Sequence, residues 1–250
     1  MMRLLLATWL ATTFISQAQQ SSKPAPTPAT LQRDLRRIAA YQYYYAPDFD
    51  IVGLTDRTAR RLVAYLKTHD VSRAAARRLG LGSVAAPADA TRLRVYGITF
   101  DSGGTRGQIT IPILQWRNAA GRRFAYRLPA EDGFWDVYRL AAPGRRLYLL
   151  LGEFMGASPM LCDHAYVLEL KGDYLLSNIP AFGKKPSFCL CNARLNFDPA
   201  RQLLHLDLAD MTATTAPDYN DENLAKLGYH RPRAKRLTLK FSGGRFVKSE

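Results

Sequence analysis

The stretch RLYLLLGEF, residues 146–154, is apolar at successive positions and has no face to give to water. That composition predicts a central β-strand, buried on both sides. Outward from it the hydrophobic period is two. Ile109, Ile111 and Ile113 alternate with Thr110 and Pro112, and Phe124, Tyr126 and Leu128 with Ala125 and Arg127. Further on, Cys189, Cys191, Ala193, Leu195 and Phe197 alternate with Leu190, Asn192, Arg194 and Asn196, and Leu204, Leu206 and Leu208 with His205 and Asp207. Strands with one dry and one wet face read this way, and antiparallel pairing is their usual setting. Asn118–Gly121, Pro143-Gly144, Gly172-Asp173, Asp198-Pro199 and Gly243-Gly244 fall between the runs as hairpin turns. Pro112 marks its own strand as an edge or a bulge.

About ten strands are expected between Leu93 and Val247, with an irregular polar interruption from Met211 to Pro232. So wide an antiparallel meander has to curl, split into layers or close, so it should be barrel-like or sandwich-like. Upstream the period is helical. Leu31, Leu35, Ile38 and Gln42 form one stripe behind Thr30 as cap, with Pro47 as the stop. A second helix is expected from Asp56 to about His69 behind Thr55, and a third from Ser72 to Leu79, ending at Gly80. The fold class is therefore α+β, with short N-terminal helices on a large curved antiparallel sheet.

Residues 1–18 read as a secretory signal peptide: Arg3, an uncharged apolar run from Leu4 to Ile15, and small residues Ser16 and Ala18 before the cut. The apolar run reaches about 18 Å as a helix against a ~30 Å hydrocarbon core. The mature chain is thus expected to be exported, to the periplasm, the outer surface or the medium, with no transmembrane segment. Residues 19–30 are a Pro/Ser/Thr-rich linker, residues 31–80 the helical region and residues 91–250 the β-meander domain.

The chain carries 35 Lys+Arg against 21 Asp+Glu, a net +14, with arginine spread over helices and turns. Export argues against nucleic acid as a partner, and the spread favours weak, salt-sensitive contact with anionic cell-surface polymers. No cofactor motif is present.

Three groups of residues carry candidate chemistry. Asp101 ends a strand before Ser102-Gly103-Gly104, where an acid can serve catalysis or accept backbone N–H bonds in a turn. Trp135, Asp136 and Tyr138 offer an aromatic platform with a carboxylate, a ligand-binding set for a sugar. Cys162, Cys189 and Cys191 suggest a disulfide from Cys162 to one of the other two, with the pairing open. In a plain meander these strands lie two apart, about 10 Å, which handicaps the bond. A weaker alternative is a soft metal held by Cys162, His164, Cys189 and Cys191. Asp218–Glu222 reads as a solvated acidic loop leading into a short helix.

The Asp101-Ser102-Gly103 turn, with LLLGEF at 149–154, resembles the catalytic loop and supporting strand of retroviral-type aspartic peptidases. That likeness implies a hydrolase with Asp101 as its acid. Gly104 stands where that family has Ser or Thr, and a second Asp-Thr/Ser-Gly is missing. Arg94-Val95-Tyr96, Asp101–Thr105 and the closing FSGGRF at 241–246 together resemble uncharacterised exported bacterial β-rich proteins, a likeness that brings no activity. The residues on their own describe an exported, non-enzymatic binding or structural module with a basic surface; the alternative is the aspartic-peptidase-like hydrolase.

Overall fold

The stretch 146–154 is covered from both sides. In the computed structural model, Leu147–Leu151 are each at most 1% exposed. Residues 26–46, 48–86, 92–103, 107–156, 160–208, 217–230 and 234–249 are described; the signal segment 1–18 lies outside them.

Helices α1 (Pro28–Ala39), α2 (Ile51–Thr68) and α3 (Arg73–Leu79) come first. They pack on a sheet of β1 (Gly82–Ala85), β2 (Arg94–Gly103), β3 (Gly107–Arg117) and β4 (Arg123–Arg127). A second sheet holds β5 (Gly133–Arg139), β6 (Leu147–Met155), β7 (Leu161–Lys171) and β8 (Tyr174–Leu176), with β9 (Ser187–Cys191) also paired to β7. The third holds β10 (Arg194–Asp198), β11 (Leu203–Asp207), β12 (Arg236–Ser242) and β13 (Arg245–Lys248), with α4 (Pro217–Ala225) between β11 and β12 in sequence. Every ladder within the sheets is antiparallel.

The period-two pattern explains how the layers stack. Tyr96, Ile98, Ile111 and Ile113 turn toward the helices and join Leu31, Leu35, Ile38, Leu62 and Leu66. Their alternates Val95, Leu114 and Trp116 face the second sheet, meeting Tyr148, Leu150, Tyr166 and Leu168. On the far side of that second sheet Leu149, Leu151, Ala165 and Val167 meet Leu195, Phe197, Leu204, Leu239 and Phe246 of the third. The order is helices, sheet, sheet, sheet. The middle sheet has no wet face over most of its area, which is why its central strand is continuously apolar. Burying each such Leu contributes roughly 1.5–3 kcal/mol.

The α+β, β-rich class agrees with the sequence, but the single meander of about ten strands does not. Thirteen strands in three sheets are present among the described residues. One break accounts for part of the difference, and β1, upstream of Leu93, for another part. The run from Cys189 to Phe197 reads as one strand, yet Asn192 takes a left-handed backbone (φ 50°), which Asn tolerates better than most residues. It ends β9 in the second sheet and starts β10 in the third. Cys189 and Cys191 therefore do not share a face with Ala193, Leu195 and Phe197.

Pro112 is also not on an edge strand: β3 lies between β2 and β4. Its carbonyl accepts from Leu128 N–H beyond the end of the β4 ladder. Its missing N–H points the same way, so no β2–β3 bond is lost.

At the N-terminus, Thr27 rather than Thr30 caps α1, and the tyrosine run forms a separate 3-10 turn at Tyr43–Tyr45. Asp50 caps α2, five residues ahead of Thr55, which is buried inside the helix. Ser72 and Gly80 (φ 82°) bound α3 as expected.

Candidate functional site

The edge strand β5 approaches β1 at the rim between the first and second sheets. A bulge at Phe134/Asp136 leaves Trp135 out of the ladder and turns it toward solvent, 37% exposed. Opposite the bulge is Gly152, where a Cβ would lie 2.7 Å from the Gly133 carbonyl oxygen, so only glycine lets β5 pack this tightly on β6. Trp135 and Asp136 line a cleft of about 300 Å³ with Arg73, Arg94 and the β1 segment Ser83–Ala85.

Arg94 and Asp136 are held by partners outside the cleft. Arg94 donates from Nη1 to the Val71 carbonyl at 3.0 Å, which fixes its guanidinium, while Arg73 stands exposed at the start of α3. The Asp136 carboxylate accepts from the Tyr138 hydroxyl at 2.9 Å. Burial first, and then Asp136, pushes the Tyr138 hydroxyl up to about 12, so it remains a donor at neutral pH. Tyr138 packs on Phe197 and does not line the cleft. Two cationic side chains and an indole therefore share the cleft, while the Asp136 carboxylate is turned with Tyr138 to the face of the middle sheet that meets the third. Sequence reasoning singled out Trp135 and Asp136, but Arg73 and Arg94 come from different elements, and only the fold brings them there.

Asp101 sits at the end of β2 as a bracket between two segments. Its carboxylate accepts from Gly103 N–H at 2.9 Å and from Tyr43 N–H at 3.2 Å, tying the 3-10 turn to the β2–β3 hairpin. Gly103, at φ 70°, lies against the Tyr43 ring. Gly104 and Thr105 lie outside the described residues. Both carboxylate oxygens are engaged by backbone donors, the geometry of a turn acid.

The cysteines are closer than a plain meander allows. Strand β8 is three residues long and pairs only with Glu169–Lys171, which leaves the other half of that edge of β7 open to β9. The two strands are neighbours, not two apart, and Cys162 lies opposite Cys191 with their sulfurs at bonding distance. Cys189 is outside the disulfide and lies opposite His164. His164 Nδ1 pairs with Asp132 Oδ2 at 2.7 Å, both side chains buried, and Phe134, Phe154 and Tyr166 surround the ring. Asp132 was not legible as a partner: it precedes His164 by 32 residues, in the irregular connection between β4 and β5, with no periodic signal. Among the described residues no three His, Cys, Asp or Glu side chains form a ready metal cluster.

The acidic stretch at 218–222 belongs to α4 rather than to a solvated loop. Asn220 is 1% exposed and bonds the backbone of Cys191, and Glu222 pairs with Lys226 at 2.8 Å. Among the described residues no helix is long and apolar enough to cross a membrane.

No protein-family model, no curated protein and no solved structure matches the chain.

Proposed function

We propose that this chain is a binding module that works outside the cytoplasm and holds an anionic saccharide unit of a surface polymer in the Trp135 cleft. The observation that carries the reading is the convergence of Trp135, Arg73 and Arg94 on one opening. An indole face supplies the flat apolar contact that a sugar ring stacks on. Guanidinium groups recognise carboxylate, sulfate or phosphate substituents with paired N–H donors. The signal-like residues 1–18 and the Cys162–Cys191 bond support an oxidising compartment.

The test is calorimetric titration with uronate-bearing and sulfated oligosaccharides beside neutral ones of equal length. Trp135→Ala and Arg73→Ala should each weaken binding about tenfold, the scale of 1.4 kcal/mol. Raising the salt from about 0.05 to 0.5 M should weaken it further, as screening shortens the reach of exposed charges. Equal affinity for neutral sugars, or no effect of either substitution, would overturn the assignment.

A further inference from the structure

Four soft side chains meet on one face of the middle sheet. Cys162/Cys191 and His164/Cys189 are directly opposed pairs at neighbouring positions of β7 and β9, the corners of a two-by-two patch. Asn192 N–H donates to the Leu161 carbonyl at 2.9 Å, and by alternation both pairs fall at the narrow, non-hydrogen-bonded sites where side chains come closest. Diagonal neighbours in such a patch are about 7–8 Å apart, so a point above its centre lies about 4 Å from each corner. Thiolates that bond a metal at ~2.3 Å and an imidazole at ~2.0–2.1 Å can reach that point.

His164 adds an independent observation. Its Nδ1 is fixed by the buried Asp132 carboxylate, and among the described residues no hydrogen bond reaches Nε2, although the residue is only 9% exposed. A histidine with one nitrogen on a carboxylate and the other available is the arrangement that metal-binding imidazoles use. The backbone of the patch is also held without the disulfide. Asn220 bonds both backbone groups of Cys191, and Asn223 Nδ2 donates to the Cys189 carbonyl at 3.2 Å while lying 3.9 Å from its Sγ.

We propose that Cys162, His164, Cys189 and Cys191 form a redox-gated site for a soft d10 ion, Zn²⁺ or Cu⁺, closed by the disulfide and opened by its reduction. A dithiol reductant passes two electrons and two protons to the S–S bond and is itself oxidised to a disulfide. Cys162 and Cys191 become thiols, and each thiol that ligates the ion releases its proton to solvent. Asp132 is a positioning residue for His164.

The full-length protein is titrated anaerobically with Zn²⁺ or Cu⁺ against a chelating indicator, before and after dithiol treatment and removal of the dithiol, and with Co²⁺ as an optical probe. The reduced protein should bind one equivalent and show thiolate-to-cobalt absorption, with under a tenth of an equivalent on the oxidised form. Cys189→Ser and His164→Gln should each weaken binding at least tenfold, and Asp132→Asn about 10–100-fold. Tight binding of either ion supports the site and identifies the metal. Should reduction abolish the near-UV circular dichroism, one equivalent of metal has to restore it; failure to do so overturns the proposal. So does a reduced protein that binds no ion, or one whose affinity is unchanged in Cys189→Ser, since that describes two thiols alone.

Discussion

The Asn220 carboxamide and the backbone of Cys191 exchange two hydrogen bonds, Cys191 N–H to Oδ1 at 2.9 Å and Nδ2 to the Cys191 carbonyl at 2.7 Å. One side chain thus does for the outer edge of β9 what another strand would do, and α4 closes that edge of the middle sheet. Asn220→Ala would leave a buried donor and a buried acceptor unpaired, at about 1–3 kcal/mol each. Urea denaturation should show a loss of roughly 2–6 kcal/mol. Asn220→Asp keeps the acceptor but not the donor and should also be destabilised.

Gln115 plays a comparable part at the end of α2. Its Nε2 donates to the carbonyls of Leu66 and His69, both at 2.6 Å, and its Oε1 faces the Tyr96 hydroxyl at 3.0 Å. Helix ends leave such carbonyls without partners, and here a strand side chain reaches across to satisfy them. Gln115→Leu should cost about 1–3 kcal/mol in thermal or urea unfolding. Gln115→Glu should cost more at pH 7 than at pH 4, because a carboxylate facing two carbonyl oxygens is repelled until it is protonated.

Two buried carboxylates should give opposite pH dependences. A side-chain hydrogen bond from the Arg145 guanidinium holds Glu169 below its usual 4.5, with bonds of 3.2 and 2.6 Å. Its stabilisation is therefore present above the ordinary Glu range and lost as pH falls through the lowered value, and Arg145's exposure keeps it modest. Asp163 is raised above 3.8, chiefly by burial, although Leu195 N–H donates to it at 2.8 Å. The folded state holds its proton more tightly, so this group costs stability as pH rises through the raised value. Unfolding midpoints across about pH 3 to 7 should show Glu169→Gln losing its penalty toward acid, and Asp163→Asn gaining on the parent toward neutral. Parallel curves for either variant would contradict the assignment.

Asp101 should prove structural. Asp101→Ala removes the acceptor for Gly103 and Tyr43 N–H, so a loss of about 0.5–1.5 kcal/mol per bond is expected in unfolding experiments. Oligosaccharide affinity at the Trp135 cleft should be unchanged. A peptide-library assay in which the parent cleaves and Asp101→Asn does not would instead reinstate the hydrolase reading.

The Cys162–Cys191 bond closes a chain segment with a sequence separation of 29. Cys162→Ala should lower stability by about 3–4 kcal/mol under oxidising conditions, the loop-closure value for that length. The same variant compared with parent under a reductant should show a much smaller difference.

Much of this architecture was legible because it depends on local period. The doubly apolar run at 146–154, the stripe Leu31, Leu35 and Ile38, the caps of α3 and the Gly243-Gly244 turn each follow from residues within one element. Ser72 caps and Gly80 ends a helix through bonds made with their own neighbours, so no distant contact is needed to place them.

What one residue did to a pattern was not legible. Asn192 interrupts an alternation that continues on both sides of it, and its left-handed backbone reassigns Cys189 and Cys191 to a different sheet face. A backbone torsion has no period, so the sequence runs smoothly through the point where the chain changes sheet. The same limit hid Asp132 beside His164, and Arg73 and Arg94 beside Trp135. The sequence by itself determined the class of fold, the helices and the existence of a central strand, because burial repeats along the chain. Only the tertiary structure decided that there are three sheets, that Cys162 pairs with Cys191 and which charges share a cleft. Those depend on where chain segments distant in sequence come to rest against each other, and short-range periodicity carries no record of that.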